Sequence, residues 1–339
     1  MNVLWIMVDQ LRWDYLSCYG AKHIDTPNID YLANRGLQFN RTYVQSPICG
    51  PSRMSLYTGR YVSSHGATWN GFPLPVGQPT LGDHLRDIGV GCHLVGKSHA
   101  TADKAGLARL GIDPSSQVGH RIGQAGFDVF IRDDGTNHSD YPNRHAEDYD
   151  AYLRSHGMDG YNPWEEWANT AVRTDGTLCS GWVLENSKYP ARVPKEHSET
   201  AWLTTRCIDF IEQQNDDPWL CHLSYIKPHW PYLVPAPYND MYSASDLPKV
   251  NRTEAEKEPD HPFLAAWGNM RVNQTFSRQE VRDIVGPASM GPIPASAAQP
   301  RRSLAYLQQS AAIHHTMAAF TSGPIHTLQS LFFAHNHLR

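Results

Sequence analysis

Val3-Leu4-Trp5-Ile6-Met7-Val8-Asp9-Gln10 stands at the head of the chain: six apolar residues in succession, then a carboxylate and an amide. A near-continuous apolar run suits a central parallel strand covered on both faces; a strand with one wet face would alternate instead. Asp9 then falls at the strand's carboxyl end, the edge of an open α/β sheet where ligands bind. An Asp in that place also serves as a helix N-cap or a turn residue, so it gains meaning only from its company.

Working outward, Thr26 as N-cap, Pro27 at N1, an apolar face of Ile29, Leu32 and Ala33, and Gly36 as the stop predict a helix. A strand is expected over about Leu37–Val44, a short helix over Pro51–Thr58 closed by Gly59, a helix from Thr80 to Ile88 stopped by Gly89, and a strand over Val90–Val95. This alternation argues for an α/β fold, a three-layer α/β/α sandwich with a mostly parallel central sheet. From about 100 to 195 the rhythm is lost in a stretch rich in Gly, Asp, His, Tyr and Trp. It reads as an insertion of loops over the sheet edge, where substrate-selecting residues usually lie. Regularity returns with a helix at about Ser198–Gln214, its Leu203, Cys207, Phe210 and Ile211 on one face, and a strand at Trp219–Ile226. That strand runs into Lys227-Pro228-His229-Trp230-Pro231-Tyr232, a second delivery of charge to the sheet edge.

The composition narrows the function classes. With 29 basic and 34 acidic residues in 339, a net charge of -5, the chain lacks the basic excess of a nucleic-acid binder. The opening apolar run is too short to cross a membrane, and no basic segment precedes it as in a secretory signal. Neither nucleic acid nor membrane is expected as a partner. The six cysteines form no Cys-x-x-Cys pair, so a disulfide scaffold and a structural zinc site are not expected. A reducing, cytoplasmic setting follows as an expectation. After Asp283 the composition breaks: residues 284–339 contain no Asp or Glu and five His. At the chain's average, roughly 5 or 6 acidic residues would be expected in a stretch of that length. The break reads as a change of coding origin, such as a frameshift near residue 290, and the tail is expected to be poorly packed.

Cys49-Gly50-Pro51-Ser52-Arg53 carries the chemistry. Cys49 precedes a helix whose Pro51 fits the first turn, so it sits over free backbone N–H groups and the positive end of the helix dipole. Arg53, one turn on, adds a fixed cation. On physical grounds this is a nucleophile facing an anionic substrate; the bland alternative is a structural cysteine beside an N-terminal turn.

Cys49-x-Pro51-Ser52-Arg53, followed by Leu56-Tyr57-Thr58-Gly59-Arg60, resembles the signature of type I sulfatases and the related phosphonate monoester hydrolases, members of the alkaline phosphatase superfamily. The resemblance extends over most of residues 1–285 with its motifs in family order: Asp9-Gln10, Thr26-Pro27-Asn28-Ile29-Asp30, Gly96-Lys97-Ser98-His99 and Lys227-Pro228-His229-x-Pro231-Tyr232. It implies that a formylglycine-generating enzyme oxidises Cys49 to formylglycine. One hydroxyl of the hydrated aldehyde attacks sulfur or phosphorus, and the other later expels the ester without a separate water attack. It further implies a divalent metal held by Asp9, the Gln10 carbonyl oxygen and the Cys49-derived group; hard oxygen ligands suit calcium first, with magnesium and manganese as alternatives. Arg53 and Lys97 would neutralise anionic oxygens, His99 would take a proton from the hydrate, and His229 would give one to the leaving oxygen. Asn70 and Lys227 are the substrate-binding candidates.

Lys97-x-His99 favours a sulfate ester, and Gln10 favours the near alternative, a phosphonate monoester or phosphodiester hydrolase. In either case the substrate is a small anionic ester. The departure from the family is sharp. Ala318-Ala319-Phe320-Thr321-Ser322 resembles the later strand that brings a second carboxylate to the metal, yet Gly323-Pro324-Ile325-His326 follows it. A tail histidine such as His326 is a poor substitute, because imidazole suits zinc or copper better than calcium. The expected organisation is therefore a catalytic domain over 1–285 with a loop-rich insertion at about 100–195. Residues 286–339 would be an anomalous, incomplete end, and the family's C-terminal subdomain would be absent. Impaired activity follows as an expectation. An inactive fragment, at most an anion-binding pseudoenzyme, is the reading from another class.

Overall fold

The computed structural model describes residues 2–135, 147–249, 258–293, 316–322 and 330–334. Its strands are β1 (Asn2–Val8), β2 (Leu37–Gln38), β3 (Gly91–Gly96), β4 (Asp128–Arg132), β5 (Thr170–Val172), β6 (Leu178–Ser180), β7 (Trp219–Tyr225), β8 (Thr316–Ser322) and β9 (Ser330–Ala334). Seven of them form one sheet in the order β2-β9-β8-β1-β7-β3-β4, while β5 and β6 make a separate pair. The run from β8 to β4 is parallel throughout, and β9 is antiparallel to both its neighbours.

The opening run is apolar on both faces because both faces are covered. Leu4, Ile6 and Val8 join the core that includes Leu203 and Phe210 of the helix Glu199–Glu212. Trp5 and Met7 point the other way, into a core with Met54 and Tyr57 of the helix Cys49–Thr58. Each fully buried side chain of this size contributes about 1.5–3 kcal/mol of transfer free energy. The result is the three-layer α/β/α sandwich read from the sequence, with β1 paired to β7 and β8.

Several elements differ from the sequence reading. The expected strand over 37–44 shrinks to the two residues of β2. The helix expected from Pro51 begins at Cys49, so the candidate nucleophile is itself the first helical residue. The region 100–195 is not only loops, for it supplies β4, the edge of the main sheet. The boundary at 285 cuts through the helix Gln279–Met290, whose Val281, Val285 and Ala288 pack with Leu184 and Tyr232. The tail is likewise not irregular throughout. β8 runs parallel to β1 with Ser322 in register with Val8, and β9 pairs with β8 and β2. Gly323 and His326 lie outside the described residues.

Gly96 ends β3 with φ of +102°, and a Cβ there would lie 2.2 Å from the carbonyl oxygen of Ser224. Only glycine lets the chain turn out of the sheet here while the Lys97 N–H donates to that same oxygen at 3.0 Å. Gly96→Ala is expected to cost about 1–3 kcal/mol through overpacking, with a further cost of about 1–3 from the backbone strain. Thermal unfolding of the variant beside the parent chain checks this; an unchanged midpoint would contradict it.

Candidate active site

Parallel strands end at a common edge, and the chain sends its charged residues there. β1 delivers Asp9, β3 delivers Lys97 and β7 leads to His229, while the helix Cys49–Thr58 brings Cys49 and Arg53. That helix starts without a side-chain cap, since Ile48 occupies the N-cap position. Its first turn is satisfied otherwise. The Gly50 N–H donates to Asn70 Oδ1 at 2.8 Å, and Pro51 has no N–H to satisfy. A Cβ on Gly50 would meet Asn70 Oδ1 at 2.7 Å, so the glycine lets Asn70 lie against the nucleophile. The Asn70 amide and Cys49 Sγ are 3.6–3.7 Å apart.

Arg53 is 2% exposed and held from three sides. Its Nη1 donates to Tyr57 Oη at 3.1 Å, the Lys97 carbonyl at 2.8 Å and Ser224 Oγ at 2.9 Å. Its Nε and Nη2 have no hydrogen-bond partner. Nη2 lies 3.7 Å from Asp9 Oδ2, and Lys97 Nζ lies 2.5 Å from the same oxygen. Burial pushes the Asp9 carboxyl up, but Lys97 and then Arg53 outweigh it and hold the group well below the usual carboxylate range. One buried carboxylate thus faces two buried cations, a net positive pocket suited to an anion.

The Asp9, Cys49 and His229 ligand atoms all lie within 4.8 Å of one another. Asp9 Oδ1 is buried with no hydrogen-bond partner. This donor set and the orphaned oxygen fit a divalent cation. Among the described residues, however, the group contains a single carboxylate. Gln10, named from the sequence as a ligand, has left-handed backbone with φ of 60° and donates its side-chain nitrogen to Tyr232 Oη at 3.2 Å.

The histidines are neutral bases here. Burial, then Lys97, pulls His99 down to about 3, and the same causes in the same order pull His229 down to about 4. His229 Nδ1 lies 2.6 Å from the Trp230 carbonyl, which can only accept, so Nδ1 carries the proton and Nε2 offers a lone pair. In this state His229 accepts a proton or a cation; it gives a proton to a leaving oxygen only after taking one. This qualifies the donor role read from the sequence. His99 Nδ1 is buried without a partner, and the His99 backbone N–H donates to Asp134 Oδ1 at 3.0 Å.

Lys227, read from the sequence as a substrate ligand, has partners within the protein. It donates to the Pro231 carbonyl, and Glu199 supports its charge against burial, which lowers it to about 8. Its partners make it a brace for the turn that carries His229. Lys227→Met is expected to cost about 3 kcal/mol or more, as when one partner of a buried pair is removed, while changing affinity for inorganic sulfate less than about twofold. Calorimetry on both variant and parent checks this; a large loss of sulfate affinity at unchanged stability would restore the substrate-binding role.

Three acidic residues escaped the sequence reading. Asp134 accepts from the Ser98 and His99 N–H groups and pairs with Arg132 at 2.5 Å, fixing the Lys97–His99 loop. Burial raises both Asp133 and Glu199, each carboxyl interacting with the other. In the sequence Asp133-Asp134-Gly135 follows the short apolar Val129-Phe130-Ile131 only after Arg132, a weak signal of a strand ending at the site.

Known proteins resemble this chain in sequence and in fold. The multifunctional alkaline phosphatase superfamily protein PehA of Trinickia caryophylli is 32% identical over 274 residues, covering 78% of this chain and 49% of PehA. An arylsulfatase of Clostridium perfringens is 26% identical over 279 residues, covering 79% and 49%. The crystal structure of the phosphonate monoester hydrolase of Agrobacterium radiobacter matches with a TM-score of 0.79 at 25% identity, covering 98% of this chain and 67% of that one. The chain spans about half the length of the curated relatives it matches. The sulfatase family model covers residues 1–283, from β1 into the helix Gln279–Met290, and on that extent the chain belongs to the sulfatase family.

Proposed function

We propose that this chain carries the catalytic half-site of a sulfuric-ester hydrolase, with Cys49 as the precursor of the nucleophile. The observation that carries the reading is the half-buried Cys49 at a helix N-terminus, beside a buried arginine with two hydrogen-bond donors to spare. A sulfuryl transition state spreads negative charge over its peripheral oxygens, so fixed donors in a buried pocket stabilise it without reorganising. Cys49, as formylglycine made by a modifying enzyme, would supply the attacking oxygen. A divalent cation on Asp9 and the Cys49-derived group, calcium in our reading, would add Lewis-acid stabilisation. Arg53 Nε and Nη2 are free to bind ester oxygens. Lys97 holds Asp9 in its charged form and places a second cation at the same edge. His99, neutral and with Nδ1 unsatisfied, is the base for the nucleophile's proton.

A second reading, phosphonate monoester or phosphodiester hydrolysis, rests on Gln10 and on the likeness to the Agrobacterium enzyme. Activity is proposed to be weak, because a hard cation held by one carboxylate binds weakly. Turnover of an aryl sulfate against a phenyl phosphonate ester, with calcium, magnesium or manganese and modified protein, separates the two. Preference for the sulfate is expected; a phosphonate preference would move the assignment to the second reading, and hydrolysis of neither would leave an anion-binding protein.

A further inference from the structure

We propose that in the chain whose Cys49 remains a thiol, Asp9, Cys49 and His229 form a site for a borderline first-row dication, zinc above all. The three ligand atoms lie within 4.8 Å of one another. Ligands about 2.0–2.3 Å from a shared tetrahedral zinc ion stand about 3.3–3.8 Å apart, so side-chain shifts of up to about 1 Å close the shell. His229 already makes the outer contact typical of a metal-binding imidazole: Nδ1–H on a backbone carbonyl, that of Trp230 at 2.6 Å, with Nε2 left for the metal. Asp9 Oδ1 is buried and unpartnered, while Lys97 engages Oδ2.

Ligand softness decides which metal. Thiolate and imidazole select zinc and its neighbours, whereas calcium takes six or more oxygens. Charge points the same way. Lys97 and Arg53 already attend the lone Asp9 carboxylate, so a hard dication finds little net attraction. Bonded to the metal as a thiolate, Cys49 brings a second negative charge to the site. In that step the Cys49 S–H gives its proton to solvent, a sulfur–zinc bond forms and a metal-bound water departs. Oxidation of Cys49 to the aldehyde removes the sulfur, so metal storage on the thiol and maturation of the nucleophile exclude each other.

The test needs no hydrolytic activity. The whole chain is made without a modifying enzyme, intact mass verifies the thiol, and cobalt(II) is titrated as the spectroscopic probe. A near-ultraviolet sulfur-to-cobalt charge-transfer band should saturate at one equivalent, bleach with one equivalent of zinc and persist in a large excess of calcium. Cys49→Ser keeps the other five cysteines and should abolish the band and weaken binding by about 100-fold, with His229→Asn at least about tenfold weaker, since even outer partners of metal ligands are worth that much. No band, a band that survives Cys49→Ser, or bleaching by equimolar calcium would each overturn the proposal. The His229→Asn result and the zinc–calcium competition decide it even where Cys49→Ser folds poorly.

Discussion

Cys49→Ala, produced with a modifying enzyme, is expected to lose ester hydrolysis by about 10⁴-fold or more, the scale seen when a nucleophile is removed from a site whose other parts remain. No second nucleophile stands ready in the described site. Ser52 is buried at 5% exposure one turn along the helix, and Asn70 is an amide. The loss should come without unfolding. Cys49 is half-buried, and its Sγ lies 3.6–3.7 Å from the Asn70 side-chain amide. Cys49→Ser distinguishes two kinds of nucleophile. A serine hydroxyl can attack once, but its ester has no second hydroxyl to expel it, so a single burst followed by arrest is expected. Steady turnover by Cys49→Ala within tenfold of the parent would remove Cys49 from the mechanism altogether.

The sequence exposed most of the site because strand ends carry it. An apolar run followed by Asp9, and another followed by Lys227-Pro228-His229, needed only the parallel-sheet rule to be brought to one edge. Cys49 and Arg53 needed only helix periodicity. What it hid has physical reasons. β4 lies at the sheet's end, where Asp128 and Arg132 flank half-buried Phe130 and Ile131, so the strand lacks the apolar continuity that revealed β1. Missing β4 meant missing Asp133 and Asp134 after it. The brace role of Lys227 was hidden because a lysine beside a candidate histidine looks the same in sequence whether it faces an anion or an interior carboxylate, and Glu199 sits on a helix far from it in the chain. β8 was legible as a strand only through the resemblance of Ala318–Ser322 to the family's later strand, and the acid-free composition around it argued against order. Composition reports charge balance, while strand pairing depends on backbone hydrogen bonds that any of those residues can make.

Arg53→Ala is expected to lower kcat/KM by about 10²–10³, the usual cost of deleting one preorganised electrostatic element. The same change should destabilise the fold by about 3–5 kcal/mol, because it strips a partner from a buried ion pair. Lysine cannot rescue either effect. Nη1 alone satisfies Tyr57, the Lys97 carbonyl and Ser224, leaving Nε and Nη2 for the substrate. An ammonium has three donors from a single atom and cannot serve both groups at once. The loss should also carry a pH signature. Lys97 and Arg53 depress the Asp9 carboxyl from its ordinary 3.8 against the upward push of burial. A carboxyl lowered in the folded state contributes stability above its unfolded value, and that contribution fades as the pH falls through the folded one. Without Arg53 the folded value rises, so stability in the acid range shrinks and the midpoint of acid unfolding moves to higher pH. Lys97→Met should move it the same way and by more, since Lys97 is the nearer cation at 2.5 Å against 3.7 Å. Acid midpoints unchanged in both variants would mean that Asp9 takes its charge from elsewhere, and the electrostatic account of the pocket would fail with them.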